Sequence, residues 1–228
     1  MKPELILALD VDNFKKAKSF IDRLYPQIRV FKVGPVLLLA CGDKVIRYIK
    51  KKSAKVFLDL KFFDIPHTIA GACRQVVRLG VDMFSIHLQA GLEVLRSAVE
   101  AVRQGEERFS LKKPLVLGVT TLTSQKKAFS IKQNSDLVKR VGLDGIICSA
   151  KEAGLFRRYL GRDFLIVSPG IRPQGFSKGD QQRIATPSEA VLAGVDYLVV
   201  GRPILEAEDP LKITKIILKE IDESRRGN

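Results

Sequence analysis

The stretch Val56-Phe57-Leu58-Asp59-Leu60-Lys61 sets a carboxylate and an ammonium two residues apart on an otherwise apolar run. Side chains alternate faces along a strand, so Asp59 and Lys61 point one way and Val56, Leu58 and Leu60 the other. Burying such a pair is costly unless each charge is compensated. Asp64 follows just beyond the run. An ordinary strand-end salt bridge would account for the pair alone; in a barrel mouth the same placement reads as catalytic. Two more charges are expected at this level. Asp10 closes the run Leu7-Ala8-Leu9-Asp10, and Lys32 lies in Phe31-Lys32-Val33-Gly34. Together Asp10, Lys32, Asp59 and Lys61 form an array from three adjacent strands. Such an array suits electrostatic stabilisation of developing charge and proton transfer.

A second constellation suits an anion. Ser168-Pro169-Gly170-Ile171-Arg172-Pro173 and Val199-Val200-Gly201-Arg202-Pro203 each place a glycine one or two residues before an arginine. Glycine lets the backbone approach an anion, and arginine offers a planar fork to its oxygens. In α/β barrels the loops after the last two strands often hold a phosphate. The histidines, His67 and His87, have no carboxylate or cysteine at metal spacing, and both are expected to be structural. No serine sits in a Gly-x-Ser-x-Gly elbow, so a hydrolase triad is not indicated.

These residues need elements to hold them. Short β-branched runs alternate with helix-length amphipathic stretches, the pattern of repeated βα units on a parallel sheet. The expected strands are Leu5–Leu9, Val30–Val33, Val56–Leu60, Met83–His87, Leu115–Val119, Gly145–Cys148, Phe164–Val167 and Tyr197–Val200. Expected helices cover Asn13–Tyr25, Ile69–Leu79, Leu92–Gln104, Ser135–Val141, Lys151–Tyr159, Ser188–Ala193 and Pro210–Asp222, with Lys50-Lys51-Lys52 closing another. Gly80, Gly105, Gly142, Gly161 and Gly194 stand where helices stop. Eight such units favour one (β/α)8 TIM barrel over residues 1–228; a doubly wound sheet would show the same alternation. No sequence repeat is evident. The longest irregular stretches, Thr120–Asn134 and Ser168–Pro187, both follow strands and so are expected at the active face.

The composition narrows the function class. Hydrophobic residues make up 46% and charged residues 28%, the balance of a soluble globular protein. No apolar run reaches the roughly 18 residues that span a bilayer. MKPELILALD reads as a first strand rather than a leader, and a cytoplasmic location without membrane contact is expected. Cys41, Cys73 and Cys148 are widely spaced and odd in number, as reduced thiols of a cytosolic protein are. The net charge of +14 is scattered and lacks interleaved aromatics, so a nucleic-acid role is not expected.

The motifs taken in order resemble orotidine 5′-phosphate decarboxylase of the bacterial type. The resemblance rests on Leu7-Ala8-Leu9-Asp10, Phe31-Lys32-Val33-Gly34, Asp59-Leu60-Lys61-Phe62-Phe63-Asp64-Ile65-Pro66-His67-Thr68, Val119-Thr120-Thr121-Leu122-Thr123-Ser124, Ser168-Pro169-Gly170-Ile171-Arg172 and Val200-Gly201-Arg202-Pro203. It covers nearly the whole chain. The Asp-x-Lys-x-x-Asp core alone is shared by metal-assisted sugar-phosphate decarboxylases of the same superfamily; the Ile-Pro-x-Thr and Pro-Gly-Ile-Arg segments add the specificity. His67 stands where many bacterial members have Asn.

The resemblance implies conversion of orotidine 5′-monophosphate to uridine 5′-monophosphate and CO2, without a cofactor, in de novo pyrimidine synthesis. It implies a homodimer with active sites at the interface. Lys61 would protonate C6, Asp59 would face the substrate carboxylate, and Lys32 would hold the charge array. Asp64 would complete it from the partner subunit, with Thr68 joining from the same side. The segment from Asp59 to Thr68, including Leu60, Phe62, Phe63, Ile65, Pro66 and His67, would line the substrate. Asp10 and Lys32 would contact the ribose, Thr123 the base, and Gly201 and Arg202 the phosphate. Arg172 and Gln181 would lie in the closing loop or beside it, with Gln174 as the alternative to Gln181.

Overall fold

The computed structural model describes residues 2–120, 130–173 and 184–226. Eight parallel strands close on themselves in sequence order: β1 Glu4–Ala8, β2 Val30–Val33, β3 Lys55–Phe62, β4 Met83–His87, β5 Leu115–Val119, β6 Gly145–Ile147, β7 Leu165–Ser168 and β8 Tyr197–Val200. Closure comes from β1 pairing with both β2 and β8, with Ile6 opposite Val30 on one side and Val199 on the other. The expected barrel is therefore present, and the open-sheet alternative is not.

Strand alternation divides the apolar residues into two cores. Ile6, Ala8, Val30, Phe57, Met83, Leu117, Ile147, Val167, Tyr197 and Val199 fill the barrel interior. Their neighbours in sequence, such as Leu7, Phe31, Val56, Phe84 and Leu198, pack outward against the helices. Above the interior layer the same parity carries Lys32, Asp59, Ser85 and His87 inward, so the polar residues sit at the C-terminal mouth.

The helices are α1 Phe14–Leu24, α2 Pro35–Cys41, α3 Lys44–Lys51, α4 Pro66–Arg78, α5 Leu92–Phe109, α6 Ile131–Val141, α7 Ala150–Leu160, α8 Pro187–Leu192, α9 Arg202–Leu205 and α10 Pro210–Arg226. Their starts follow capping chemistry. Asn13, Ser130 and Ser149 each accept an N–H of the first turn, and Thr186 with Glu189 forms a reciprocal capping box on α8.

Several boundaries differ from the sequence expectation. α4 begins three residues before Ile69, because Pro66 supplies a ready-made first-turn φ. α5 continues through Gly105 to Phe109: Gly105 is buried beside Val77 and does not end the helix. α6 begins at Ile131, four residues before Ser135, after its Ser130 cap. β3 runs on to Phe62, and Leu9 and Cys148 fall outside their strands. α2 and α9 have no counterpart among the expected helices. The first carries an apolar PVLLLAC sequence with no polar face, and the second is four residues long.

Candidate active site

Three strand ends supply the charged array. Asp59 projects from β3 into the mouth and is buried, with 7% of its surface exposed. Its Oδ2 accepts from Lys61 Nζ at 2.8 Å and lies 3.5 Å from Lys32 Nζ. Lys32 Nζ also donates to Asp10 Oδ1 at 3.0 Å. The sequence Asp10–Lys32–Asp59–Lys61 is thus an alternating chain of charges, as the strand periodicity predicts. Burial tends to raise the pKa of Asp59. The charges of Lys32 and Lys61, with the hydrogen bonds it accepts, outweigh that and hold it below the usual carboxylate range.

The backbone at Lys61 is unusual. Its φ is +51°, in the left-handed region that a non-glycine residue adopts at a cost of about 1–2 kcal/mol. The β3–β4 register shifts here: Leu58 pairs with Phe84 and Phe62 with Ile86, so β3 carries extra residues over this interval. Ser85 fills the irregularity. Its Oγ accepts the Lys61 N–H at 2.9 Å and donates to Asp59 Oδ1 at 2.8 Å. Ser85 was not among the residues expected from sequence. The signal lay in Met83-Phe84-Ser85-Ile86-His87, where polar residues occupy the inward positions of a strand.

His87, expected to be structural, also reaches this rim. Its ring meets Phe63 edge-on at 5.8 Å, and its Nδ1 is buried without a hydrogen-bond partner among the described residues. Burial lowers its pKa and the Lys61 charge lowers it further, with Asp59 opposing. The imidazole is therefore neutral at pH 7.

Across the mouth, the chain after β7 turns at Gly170, whose φ of +76° favours glycine. Arg172 N–H then donates to Ala185 O at 2.9 Å, and Ala185 N–H to Gly170 O at 3.3 Å. These bonds tie together the chain on both sides of residues 174–183. They also bury Arg172, which is 7% exposed and whose Nε has no partner among the described residues. Burial lowers the pKa of Arg172, and the nearby Arg202 charge adds to that, with Glu206 opposing. The two guanidinium groups lie close enough to influence each other, and such planar forks are suited to an anion. Gly201 caps α9 and lies against β1: a Cβ there would come 3.5 Å from Asp10 Oδ2. The arginine side and the Asp10–Lys32 side of the mouth therefore adjoin. Among the described residues no group of three or more His, Cys, Asp or Glu side chains could hold a metal ion, and no helix is long and apolar enough to cross a membrane.

Comparisons with known proteins show the family. The family model "Orotidine 5'-phosphate decarboxylase / HUMPS family" matches residues 3–217. The chain belongs to this family. An orotidine 5′-phosphate decarboxylase of Syntrophotalea carbinolica is 44% identical over 96% of this chain and 95% of its own length. One from Coxiella burnetii is 42% identical over 96% of this chain and 97% of its own. In structure, the orotidine 5′-phosphate decarboxylase of Lactobacillus acidophilus superposes with a TM-score of 0.82 at 32% identity, covering 96% of this chain and 99% of that one.

The site residues implied by the family resemblance fall into three groups. Asp10, Lys32, Asp59 and Lys61 come together at one rim, and Arg172, Gly201 and Arg202 line the other. The segment Phe63-Asp64-Ile65-Pro66-His67-Thr68 is wholly exposed on the chain's own surface. Asp64 accepts from the Ile65 N–H at 2.7 Å and joins no ion pair among the described residues. It therefore stands apart from the Asp59–Lys61 pair with which the sequence groups it. Leu60 and Phe62 face the helices and pack there, so they shape the strand rather than line the mouth. Thr123, Gln181 and Gln174 lie outside the described residues.

Proposed function

We propose that this chain decarboxylates orotidine 5′-monophosphate to uridine 5′-monophosphate, in the cytoplasm, as one barrel domain in a homodimer. The observation that carries the reading is the buried Asp59 held between two lysines, opposite the Arg172–Arg202 anion receptor. The 44% and 42% identical relatives named as orotidine 5′-phosphate decarboxylases support it.

Arg202 and Arg172 bind the 5′-phosphate, and Asp10 with Lys32 binds the ribose. That fixes the pyrimidine over β3, with its C6 carboxylate beside Asp59 and Lys61. The C6–carboxylate bond breaks heterolytically: CO2 departs and the electron pair stays on C6. Lys61 Nζ then transfers a proton to C6, and solvent restores the ammonium. Two features lower the barrier. A preorganised cation faces the charge that develops, without solvent reorganisation. The repulsion between Asp59 and the substrate carboxylate vanishes as neutral CO2 leaves. No electron sink beyond these side chains is required by this sequence of steps.

The partner subunit completes the site in this reading. Phe63 and Ile65 are 63% and 64% exposed beside the mouth, and Leu39 on α2 is 87% exposed. Apolar surface of that kind is expected to be covered by a second copy, which would bring its Asp64 and Thr68 to the neighbouring array. The test is to incubate the purified chain with orotidine 5′-monophosphate and a chelator, and to identify the product. Stoichiometric uridine 5′-monophosphate and CO2 are expected; loss of turnover in the chelator would contradict the reading. Sedimentation should give a dimer, and a monomer with full turnover would remove the role of Asp64.

A further inference from the structure

We propose that Ser85 is a positioning residue for the decarboxylation: its hydroxyl ties the Lys61 main chain to the Asp59 carboxylate and so fixes the relative placement of ammonium and carboxylate. The inference rests on the proposed decarboxylation. It concerns a β4 residue that neither the charge pattern nor the family motif marks.

Four observations carry it. Ser85 is completely buried in the barrel, on the inward face it shares with Met83 and His87. A serine there contributes little apolar packing, and its hydroxyl must be satisfied. The hydroxyl is used in both directions, accepting from Lys61 N–H at 2.9 Å and donating to Asp59 Oδ1 at 2.8 Å. Its donor partner, Lys61, is the one non-glycine residue of the described site with a left-handed backbone, at the register shift between β3 and β4. Finally, occupying Oδ1 leaves Oδ2 to receive Lys61 at 2.8 Å and to face Lys32 at 3.5 Å.

The consequence is geometric. A lysine side chain on a strand end has four rotatable bonds, and a carboxylate can spin about its own axis. With the main chain of Lys61 and one oxygen of Asp59 bound to the same fixed atom, both side chains depart from a common anchor. Misplacement by about 1 Å can cost on the order of 10²-fold in rate. The anchor does not touch the phosphate side, so substrate affinity should change little.

The experiment compares wild type, Ser85→Ala and Ser85→Cys in turnover of orotidine 5′-monophosphate across pH. The alanine variant is expected to lose about 10- to 100-fold in kcat, with KM within about threefold of wild type. The cysteine variant keeps the side-chain volume but has only a weak S–H donor, so it should also lose at least about tenfold. It decides the matter if alanine fails to fold. The pH profile supplies a readout that loss of packing alone would not move. Asp59 is faced by Lys61 on its own strand, by Lys32 from β2, by Ser85 and His87 from β4, and through Lys32 by Asp10 after β1. Removing the Ser85 donor leaves the two lysines in place and weakens the hold on the carboxylate, so the acid limb of kcat should move to higher pH. Folded variants with wild-type kcat and an unchanged acid limb would overturn the inference. An inactive wild type would instead overturn the decarboxylase reading on which it rests, and the two failures are told apart by the wild-type arm.

Discussion

The two ends of the barrel use the same residue type in opposite ways. At the base, Asp82, Asp144 and Asp196 each stand just before an even-numbered strand. Their carboxylates accept the main-chain N–H of Val56, Val116 and Ile166, each at 2.8 Å, and so fasten β4, β6 and β8 to the odd strand before each. Each also pairs with a cation from outside the sheet: Lys50 at 2.8 Å, Lys113 at 3.2 Å and Arg157 at 2.6 Å. The same residues' carbonyls accept from the strand that follows, through the N–H groups of Leu115, Leu165 and Glu4. At the mouth, Asp59 is held by side chains alone. A carboxylate whose partners are main-chain groups is bound to the fold and cannot change partner without opening the sheet. One held by lysines and a hydroxyl is preorganised yet remains free to interact with a substrate. Position within the barrel separates the aspartates that fasten strands from the one proposed to serve chemistry.

That division of labour can be broken at either end. The largest effect is expected for Lys61→Ala, which removes the cation beside Asp59 and the proposed proton donor: turnover should fall by about 10⁴-fold or more, while thermal denaturation shows little loss of stability. Next comes the base. Asp196→Ala leaves the Ile166 N–H and the half-buried Arg157 without their carboxylate. Urea unfolding should show a loss of about 3 kcal/mol, with kcat unchanged at temperatures where the variant stays folded. Arg202→Ala removes a charged fork from the proposed phosphate side and should lower kcat/KM by about 10- to 100-fold in steady-state assays. The smallest effect is expected for Lys113→Ala. Its pair with Asp144 is partly exposed, and its loss should cost no more than about 1 kcal/mol.

Acid should weaken the hold on Asp59 at the mouth. The folded pKa of Asp59 lies below its unfolded value of about 3.9, so its contribution to stability is complete above that pH and is lost as pH falls through the folded value. Thermal midpoints measured from pH 7 downward should therefore drop below about pH 4. Asp59→Asn should flatten that part of the curve.

Much of this was legible in the sequence, for physical reasons. Each strand buries a short apolar run that leaves a clear trace, and the parity of Asp59 and Lys61 placed both in the mouth. The parity argument succeeded even though β3 is irregular there, because Leu58 and Phe62 keep the same outward sense across the register shift. The irregularity itself left no trace: nothing in Asp59-Leu60-Lys61 announces a left-handed lysine. Ser85 and His87 escaped because one hydroxyl and one imidazole mean little until a partner strand is known. The base aspartates were missed differently. Gly80, Gly142 and Gly194 read correctly as helix stops, but the triplets Gly80-Val81-Asp82, Gly142-Leu143-Asp144 and Gly194-Val195-Asp196 are unevenly spaced and did not register as a repeat. The fourth even strand, β2, follows Arg29 instead, and there Lys55 reaches Glu4 of β1 at 3.3 Å. Three aspartates and one ion pair thus do a repeated job without a fixed period.

The contrast between the two ends is tested most directly by measuring turnover of orotidine 5′-monophosphate in Asp59→Asn and Asp196→Asn side by side, at a temperature where both remain folded. Asp59→Asn is expected to lose about 10²- to 10³-fold in kcat, and Asp196→Asn to match wild type. Equal losses in the two variants, or a wild-type rate in Asp59→Asn, would contradict the account.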